Sequence, residues 1–194
     1  MKSWISKTAI AIAMLVALPV LAHADVWQID PAHTNVEFTV RHMMISNVKG
    51  QFQKTSGTIT TNGNDPASAK IDVTIDSSSV DTRVEKRDAH LKSPAFLDVD
   101  KFPTITFKST KVEAAGPGKW KVTGDLTLHG VTKPVTLDVE GPSGPVNGMD
   151  HKPHAGYSAS VTLNRKDFGV GAKTPNGMVS DEVKLTIDMD VAKQ

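Results

Sequence analysis

The sequence contains no cysteine among its 194 residues. This absence excludes disulfide bonds, thiol catalysis, metal sites with thiolate ligands and a lipid anchor attached through cysteine. The chain must therefore be held together by the packing of its apolar side chains. Its length is sufficient for one such core.

An excess of charge of one sign is missing, and aromatic side chains are scarce. The 22 Lys and Arg are nearly balanced by 21 Asp and Glu, and aromatic residues make up 5% of the chain. Non-specific binding to nucleic acid requires an excess of basic side chains, so no nucleic-acid partner is expected. An outer-membrane barrel would need aromatic girdles and an apolar outer face, which the sequence does not support.

Long apolar runs are missing except near the N-terminus. Residues 10–18 are apolar, two lysines precede them, and residues 22–24 read Ala-His-Ala. This pattern predicts a signal peptide over residues 1–24 and one mature domain over residues 25–194, with no transmembrane segment in the mature chain. Cleavage would remove two lysines and no acid, leaving 20 Lys and Arg against 21 Asp and Glu. We therefore expect a periplasmic location, with secretion as the alternative.

What the sequence does contain is alternation of apolar and polar residues with a period of two. The apolar members of these segments are Val36, Phe38 and Val40; Ile71, Val73 and Ile75; Ile105 and Phe107; Val122, Leu126 and Leu128; Val135, Leu137 and Val139; Tyr157, Ala159, Val161 and Leu163; and Val183, Leu185, Ile187, Met189 and Val191. Each segment predicts a strand with one dry face and one wet face, which is typical of antiparallel sheets.

Turn signals separate these segments. Gly116-Pro117-Gly118 and His129-Gly130 predict a meander of three strands over residues 104–140. The stretch 141–153 holds three prolines and three glycines. It is predicted to be a longer, mobile loop.

About eight strands with one apolar face each can stack as two sheets or close into a barrel. Closure removes exposed sheet edges, and a barrel of about eight strands can hold one small ligand. We therefore predict a mainly β fold, an eight-stranded antiparallel β-barrel with its apolar side chains facing inward. A short helical segment near residues 82–101 would interrupt the strands once.

The helical segment carries its own start signals. Thr82 and Glu85 fit a capping box, so a helix is predicted from there to about Lys92. Ser93-Pro94 then fits a second N-cap, with proline in the first helical position. The sequence therefore predicts a helix followed by a further helical turn.

The charges on this helix allow two interpretations. Asp88 shares a face with Val84 and Leu91, and Arg87 and His90 lie on the neighbouring stripe. The helix could be a salt-bridged element that closes one end of the sheet, or a polar rim that meets a ligand. In either case Asp88 is predicted to be a buried partner of Arg87 or of backbone amides.

Several motifs follow one another along the mature chain. They are Asp30, residues 33–42 (HTNVEFTVRH), 50–52 (GQF), 79–82 (SVDT), 87–91 (RDAHL), 96–98 (FLD), 102–103 (FP), 124–135 (GDLTLHGVTKPV) and 165–169 (RKDFG). In this order they resemble the YceI-like family of exported polyisoprenoid-binding proteins. The resemblance covers essentially the whole mature chain. It implies a lipocalin-like barrel whose hydrophobic lumen holds an isoprenoid or another long-chain amphiphile.

The resemblance and the alternation together predict the ligand-binding residues. Those expected in the lumen are Phe38, Val40, Val73, Ile75, Phe96, Phe102, Phe107, Leu126, Leu128, Val139, Val161, Leu163 and Phe168. The head group is expected near the helix, in contact with His42, Arg87 or His90. Isoprenoid quinones and polyprenyl phosphates are ligands of the implied class. No cofactor beyond such a lipid is expected, and a homodimer is one option for assembly.

Two other functions stay open at this point. A secreted hydrolase acting on peptides or esters could assemble a His/Asp/Ser site in space, although the chain has no Gly-x-Ser-x-Gly motif. A sheet protein with a filled core could act through its surface alone. The expected function is binding rather than catalysis.

No metal site is predicted. His151 and His154 beside Asp150 would form a metal-binding pair on a helix, but Pro153 argues against a helix there. Asp30 and His33 are expected to satisfy backbone groups in the turn between the first two strands.

Overall fold

The computed structural model describes residues 24–63 and 65–194. The predicted signal peptide therefore lies outside the described residues, apart from Ala24. The described chain forms eleven strands, one α-helix and two short 3₁₀ turns. No helix within it reaches the length and apolarity needed to cross a bilayer.

Seven of the eleven strands contain the alternating segments of the sequence, and the other four were not predicted. The strands are β1 (Ala24–Ile29), β2 (Asn35–His42), β3 (Ser46–Phe52), β4 (Thr55–Asn62), β5 (Asp65–Asp76), β6 (Val80–Asp81), β7 (Thr104–Gly116), β8 (Lys119–Leu128), β9 (Val131–Asn147), β10 (Pro153–Asn164) and β11 (Glu182–Lys193). The helix α1 spans Glu85–Lys92, and the 3₁₀ turns span Ser77–Ser79 and Arg165–Phe168.

All strands belong to one antiparallel sheet that closes on itself. Strands β1 and β2 both pair with β11, so they follow one another along a single side of the barrel. Strands β3 and β4 in turn pair with β2 and β1, and β6 and β5 pair with β3 and β4. The eleven strands therefore occupy eight positions around a closed barrel, which confirms the predicted fold class.

The break between β1 and β2 shows how one barrel position can hold two strands. Ile29 is opposite Val191 and Val36 is opposite Ile187, with residues 30–35 between them. The amide of Asp30 donates to the carbonyl of Asp190 at 2.9 Å, which holds the connecting turn against β11.

The two ends of the barrel differ. Strands β2, β5, β8 and β10 run toward the end that carries α1, the β2–β3 hairpin and the His129–Gly130 turn. We call this the helix end. The end with the turns at residues 116–119 and 147–153 is the opposite end.

The predicted meander is confirmed. Strands β7, β8 and β9 pair in succession, and Gly116 pairs with Lys119 across a tight turn. His129 and Gly130 have φ values of 52° and 75°, which suits a two-residue hairpin turn with both central residues left-handed.

The prediction of a mobile loop over residues 141–153 is wrong for most of that stretch. Strand β9 continues to Asn147 and pairs with β10 as far as Pro153. Shifts in register at Gly156 absorb the extra residues of β9. Bulges tolerate the missing donors of Pro142 and Pro145, so turn-forming residues lie here inside a strand.

The predicted capping box is also wrong. Val84 precedes the first residue of α1, and no side chain caps the helix. Thr82 instead donates its hydroxyl to the Asp88 carboxylate at 2.5 Å, and its amide donates to the same oxygen at 2.8 Å. Arg83, with φ of 62°, turns the chain between Thr82 and the helix. Thr82 therefore joins β6 to the middle of α1 rather than to its start.

The predicted second helical turn forms only turns. The Ser93 hydroxyl accepts from the amide of Ala95 at 3.3 Å, but residues 94–101 do not continue as a helix. Phe96 and Leu97 are buried there. This segment is held at the barrel end by their burial.

Candidate ligand-binding cavity

A cavity of about 910 Å³ extends along the inside of the barrel. Its lining is predominantly apolar and includes inward-facing residues of every long strand. It extends from His42 and Arg87 at the helix end to Pro66 and Pro142 at the opposite end. An apolar volume of this size falls in the upper range of small-molecule sites.

Most of the predicted lumen residues line this cavity. They are Phe38, Val40, Val73, Ile75, Phe96, Phe107, Leu126, Leu128, Val139, Val161 and Leu163. All of them except Phe96 lie in strands, where one face of each strand points into a closed barrel. Their contact with a ligand stays a prediction.

Phe102 and Phe168 were predicted to line the lumen, but both lie outside it. The Phe102 ring packs against the His129 ring, with centroids 4.7 Å apart, beneath the β8–β9 turn. Phe168 is 2% exposed in the 3₁₀ turn that follows β10. Neither residue lies in a strand, so alternation could not indicate which way its side chain points.

Several large lining residues were not predicted. They are Trp27, Phe52, Trp120, Tyr157, Leu185, Ile187 and Met189. The last four share the alternation of the predicted residues, so the signal was present in the sequence. Burial raises the pKa of the Tyr157 phenol, which therefore stays neutral at physiological pH.

The three predicted head-group residues lie together. His42, Arg87 and His90 all line the cavity at the helix end, although they come from β2 and α1. The His90 ring packs edge-on against Phe96, with centroids 5.0 Å apart. The structure thus places polar side chains at one mouth of an apolar cavity.

Arg87 is fixed at this mouth by Thr82. Its Nε donates to the Thr82 hydroxyl at 2.7 Å and its Nη2 donates to the Thr82 carbonyl at 2.8 Å. Asp88 accepts from the hydroxyl and amide of Thr82, so it is a partner of a backbone amide as predicted, but it is half-buried and not buried. Within residues 24–63 and 65–194, no carboxylate forms an ion pair with Arg87. Its positive charge is therefore positioned by neutral groups and faces the cavity.

Arg165 was not predicted, and it organises the segment that borders the same mouth. Its side chain is 4% exposed and pairs with the Asp181 carboxylate at 2.9 Å. It also donates to the backbone carbonyls of Val170, Gly171, Thr174, Val179 and Ser180. The segment 170–181 is thereby wrapped around one guanidinium. This arrangement places Lys173, Thr174 and Met178 at the cavity wall.

A separate cluster of ionisable side chains lies outside the cavity, nearer the opposite end. His154 lies between Asp190 and Asp150, with N···O distances of 2.8 and 3.1 Å. These hydrogen bonds, that to Asp190 first, raise the pKa of His154. Ligand atoms of Asp30, His154 and Asp190 lie within 4.8 Å of one another, so these three could hold a cation.

In the turn between β1 and β2, Asp30 accepts from a backbone amide as predicted, whereas the His33 ring bonds to the Asp30 carboxylate instead of a backbone group. The His33 Nδ1 lies 2.8 Å from one Asp30 oxygen, and the other oxygen accepts from the amide of Ala32 at 2.9 Å. The hydrogen bond to Asp30 raises the pKa of His33 and lowers that of Asp30. His42 lies at the other end of β2 and takes no part in this cluster.

The family model of the YceI-like domain matches residues 27–191, which span almost the whole barrel. The chain belongs to the YceI-like family. A YceI-like relative, the UPF0312 protein of Vibrio parahaemolyticus, is 38% identical over 191 residues, covering 95% of this chain and 97% of the relative. The resemblance seen in the motifs is thereby confirmed.

Solved YceI-like structures share the barrel. The YceI protein of Campylobacter jejuni is 36% identical, with a TM-score of 0.71 over 77% of this chain and 87% of that one. A polyisoprenoid binding domain from Saccharophagus degradans has a TM-score of 0.65 over 87% of this chain and 98% of that domain. At 17% identity, this comparison shows a likeness of fold alone.

Proposed function

We propose that this YceI-like protein binds a polyisoprenoid or another long-chain amphiphile inside its barrel. The observation that carries the proposal is the continuous apolar cavity of about 910 Å³, which has polar side chains at its helix end. An amphiphile matches this arrangement, because its long apolar chain fits the cavity and its polar head group fits the helix end.

Burial of the apolar chain would supply most of the affinity. Each buried methylene contributes about 0.8 kcal/mol before the cost of ordering the chain is subtracted. A long chain can fill more of the cavity than a short one. The cavity is therefore expected to select by chain length.

The helix end favours a head group that accepts hydrogen bonds or carries negative charge. In the part of the chain that the structure describes, the Arg87 guanidinium forms no ion pair with a carboxylate, and His42, His90 and Lys173 line the same region. Guanidinium groups bind phosphate and carboxylate oxygens with two parallel hydrogen bonds. A prenyl phosphate and an isoprenoid quinone, which has carbonyl acceptors, both fit this chemistry.

The comparison with the Saccharophagus degradans domain supports the ligand class. That protein is a polyisoprenoid binding domain with the same barrel fold. Within residues 24–63 and 65–194, the rings of His33, His129 and His154 are hydrogen-bonded to carboxylates or a backbone carbonyl, and no histidine ring is hydrogen-bonded to a serine. Binding therefore has more support than the hydrolase alternative.

We also propose that the protein acts after export, as a periplasmic carrier. The support is the lysine-flanked apolar run and the Ala-His-Ala pattern that precede the barrel. N-terminal sequencing of protein from the periplasmic fraction tests this, with a mature N-terminus at Asp25 expected. Recovery of the uncleaved chain from the cytoplasm would contradict it.

Mass spectrometry of organic extracts tests the binding proposal. Protein purified without detergent is expected to yield a long-chain amphiphile in near-stoichiometric amount. Leu126→Trp and Val161→Trp place an indole in the cavity and are expected to abolish retention. Thr162→Trp is the matched control, because its side chain lies on the exposed face of the same strand. Absence of lipid from the wild type, together with no binding of added prenyl phosphate, would overturn the proposal.

A further inference from the structure

The tip of the β2–β3 hairpin is apolar and exposed. Met43, Met44 and Ile45 are 57%, 49% and 76% exposed, and Met178 is 57% exposed. The amide of Met43 donates to the carbonyl of Met178 at 2.8 Å, so the four residues are adjacent. We refer to residues 43–45 and Met178 as the apolar lip.

The backbone of the lip is unusual for its sequence. Met43 and Met44 have φ values of 50° and 61°, and the amide of Ile45 closes a turn on the carbonyl of His42. A hairpin turn with two left-handed central residues favours Asn-Gly, since bulky side chains are disfavoured there. The turn geometry therefore does not explain the two methionines, and strain of this kind concentrates at functional sites.

The lip is held in place from within the hairpin. Arg41 donates to the carbonyl of Met44 at 2.7 Å and to the side-chain oxygen of Asn47 at 3.1 Å. The pairing of His42 with Ser46 continues the ladder up to the turn. The apolar tip is thus presented by an ordered hairpin.

The lip borders the mouth of the cavity. His42 directly precedes it, Met178 belongs to it, and both line the cavity together with Arg87. An apolar chain leaving the barrel at this end would meet the lip next.

The two segments that carry the lip contain cations and no acid, and Asp181, which follows the second segment, is paired with Arg165 and Lys166. Residues 41–49 and 169–180 contain Arg41, Lys49 and Lys173 and no Asp or Glu. The acidic cluster of Asp30 and Asp190 lies on the outer wall, nearer the opposite end. Segments that combine exposed apolar side chains with cations are complementary to the interface of an anionic bilayer.

We propose that the apolar lip inserts into the interface of an anionic lipid bilayer and holds the cavity mouth against the membrane. The amphiphile then passes between bilayer and barrel without exposing its apolar chain to water. Methionine suits this contact, because its flexible side chain adapts to irregular apolar surroundings. The inference rests on the proposed function, since it supplies the route by which the cavity would be loaded.

Flotation with lipid vesicles tests the lip. The variant Met43→Asn/Met44→Gly/Ile45→Thr removes the apolar surface while giving the turn its favoured residues, so it is expected to fold. The matched control Val146→Thr/Met149→Ser removes exposed apolar side chains at the opposite end. Vesicles of phosphatidylcholine alone are compared with vesicles containing about one-third phosphatidylglycerol.

We expect wild type and control to bind the anionic vesicles, and the lip variant to bind at least about tenfold more weakly. All three proteins should bind a prenyl phosphate equally when it is added as a monomer in solution, because the cavity is unchanged. Equal vesicle binding by all three proteins, or no vesicle binding by the wild type, would overturn the proposal that the lip inserts into the bilayer. A wild-type dimer that becomes a monomer in the lip variant, without vesicle binding, would identify the lip as a contact between copies and also overturn it.

The two proposals fail in different ways. If the protein binds prenyl phosphate in solution but does not bind vesicles, the proposal that the lip inserts into a bilayer is wrong and the carrier function stands. If vesicle binding depends on the lip but none of the proteins binds prenyl phosphate, the proposed carrier function is wrong.

Discussion

At the scale of single residues, Arg165 shows how a buried charge can organise a loop. Its guanidinium donates mainly to backbone carbonyls, so it satisfies acceptors that no strand partner could reach. Asp181 supplies the one carboxylate. The charge is thus compensated by oriented dipoles as well as by an ion pair.

Replacing Arg165 by Met should strongly destabilise the barrel. The change keeps much of the side-chain volume but leaves several buried carbonyls without donors, and a loss of about 3–5 kcal/mol is expected. Urea unfolding measures this loss. Lys166→Met is the control, because the exposed Lys166 also pairs with Asp181 and should cost less than about 1 kcal/mol. Equal losses of stability for the two variants would show that the bonds from Arg165 to the backbone carbonyls do not stabilise the barrel.

His154 should make stability dependent on pH. Its pKa is raised in the folded state by Asp190 and then Asp150, so folding favours its protonated form. The resulting stabilisation is fully present below the ordinary value of 6.5 and is lost as the pH rises through the raised pKa.

Thermal unfolding across this pH range tests the contribution. The decline in melting temperature with rising pH should be smaller in His154→Asn than in wild type. Part of the decline should remain, because the pKa of His33 is raised as well. His151→Asn is the control, since His151 lies in the turn just before β10 and its ring makes no hydrogen bond within residues 24–63 and 65–194. An unchanged decline in His154→Asn would show that the cluster does not favour the protonated form.

At the scale of elements, the link between β6 and α1 positions the head-group region. Thr82 bonds to both Arg87 and Asp88, so a single hydroxyl fixes the helix against the strand and aims the guanidinium. The sequence had suggested the same threonine as a helix cap. Thr82 instead donates to the carboxylate of Asp88, six residues further along the chain, so its hydroxyl does not cap the helix.

Thr82→Val should separate the effect on stability from that on binding. The isosteric change removes two hydrogen bonds of the hydroxyl and is expected to cost about 1–2 kcal/mol of folding stability. Affinity for a prenyl phosphate should also fall, because Arg87 loses one of its anchors, whereas affinity for the uncharged prenol should change little. Calorimetric titration measures both, with the exposed Thr162→Val as control. Equal loss for the two ligands would show that Arg87 does not meet the head group.

At the scale of the whole molecule, a closed barrel with a large internal cavity forgoes part of the packing that a filled core would have. A ligand that fills the cavity stabilises the folded state by mass action. Stability and function are therefore coupled in this fold.

The melting temperature should rise with the chain length of an added amphiphile. A long prenyl phosphate at about a hundredfold excess over its dissociation constant adds about 2.7 kcal/mol, or roughly 5–10 °C for a chain of this size. A two-isoprene homologue at the same concentration should produce a much smaller shift. Leu126→Trp should show neither shift. Equal shifts for both chain lengths would indicate binding through the head group alone.

The sequence by itself determined seven of the eleven strands, the closed barrel and most of the cavity lining. Val73, Leu126 and Val161 could be placed because the direction of a strand side chain depends only on its position in a local alternation. His42, Arg87 and His90 could be brought to one mouth because the family resemblance identified their motifs. These properties depend on neighbouring residues or on recognised patterns.

Only the tertiary structure decided the rest. It moved Phe102 and Phe168 out of the lumen, extended β9 through Pro142 and Pro145, and gave Arg165 its carbonyl partners. Each outcome depends on contacts between segments far apart in the chain, and irregular backbone offers no period from which to infer them. The apolar lip belongs with these, since its place beside the cavity mouth follows from the closure of the barrel.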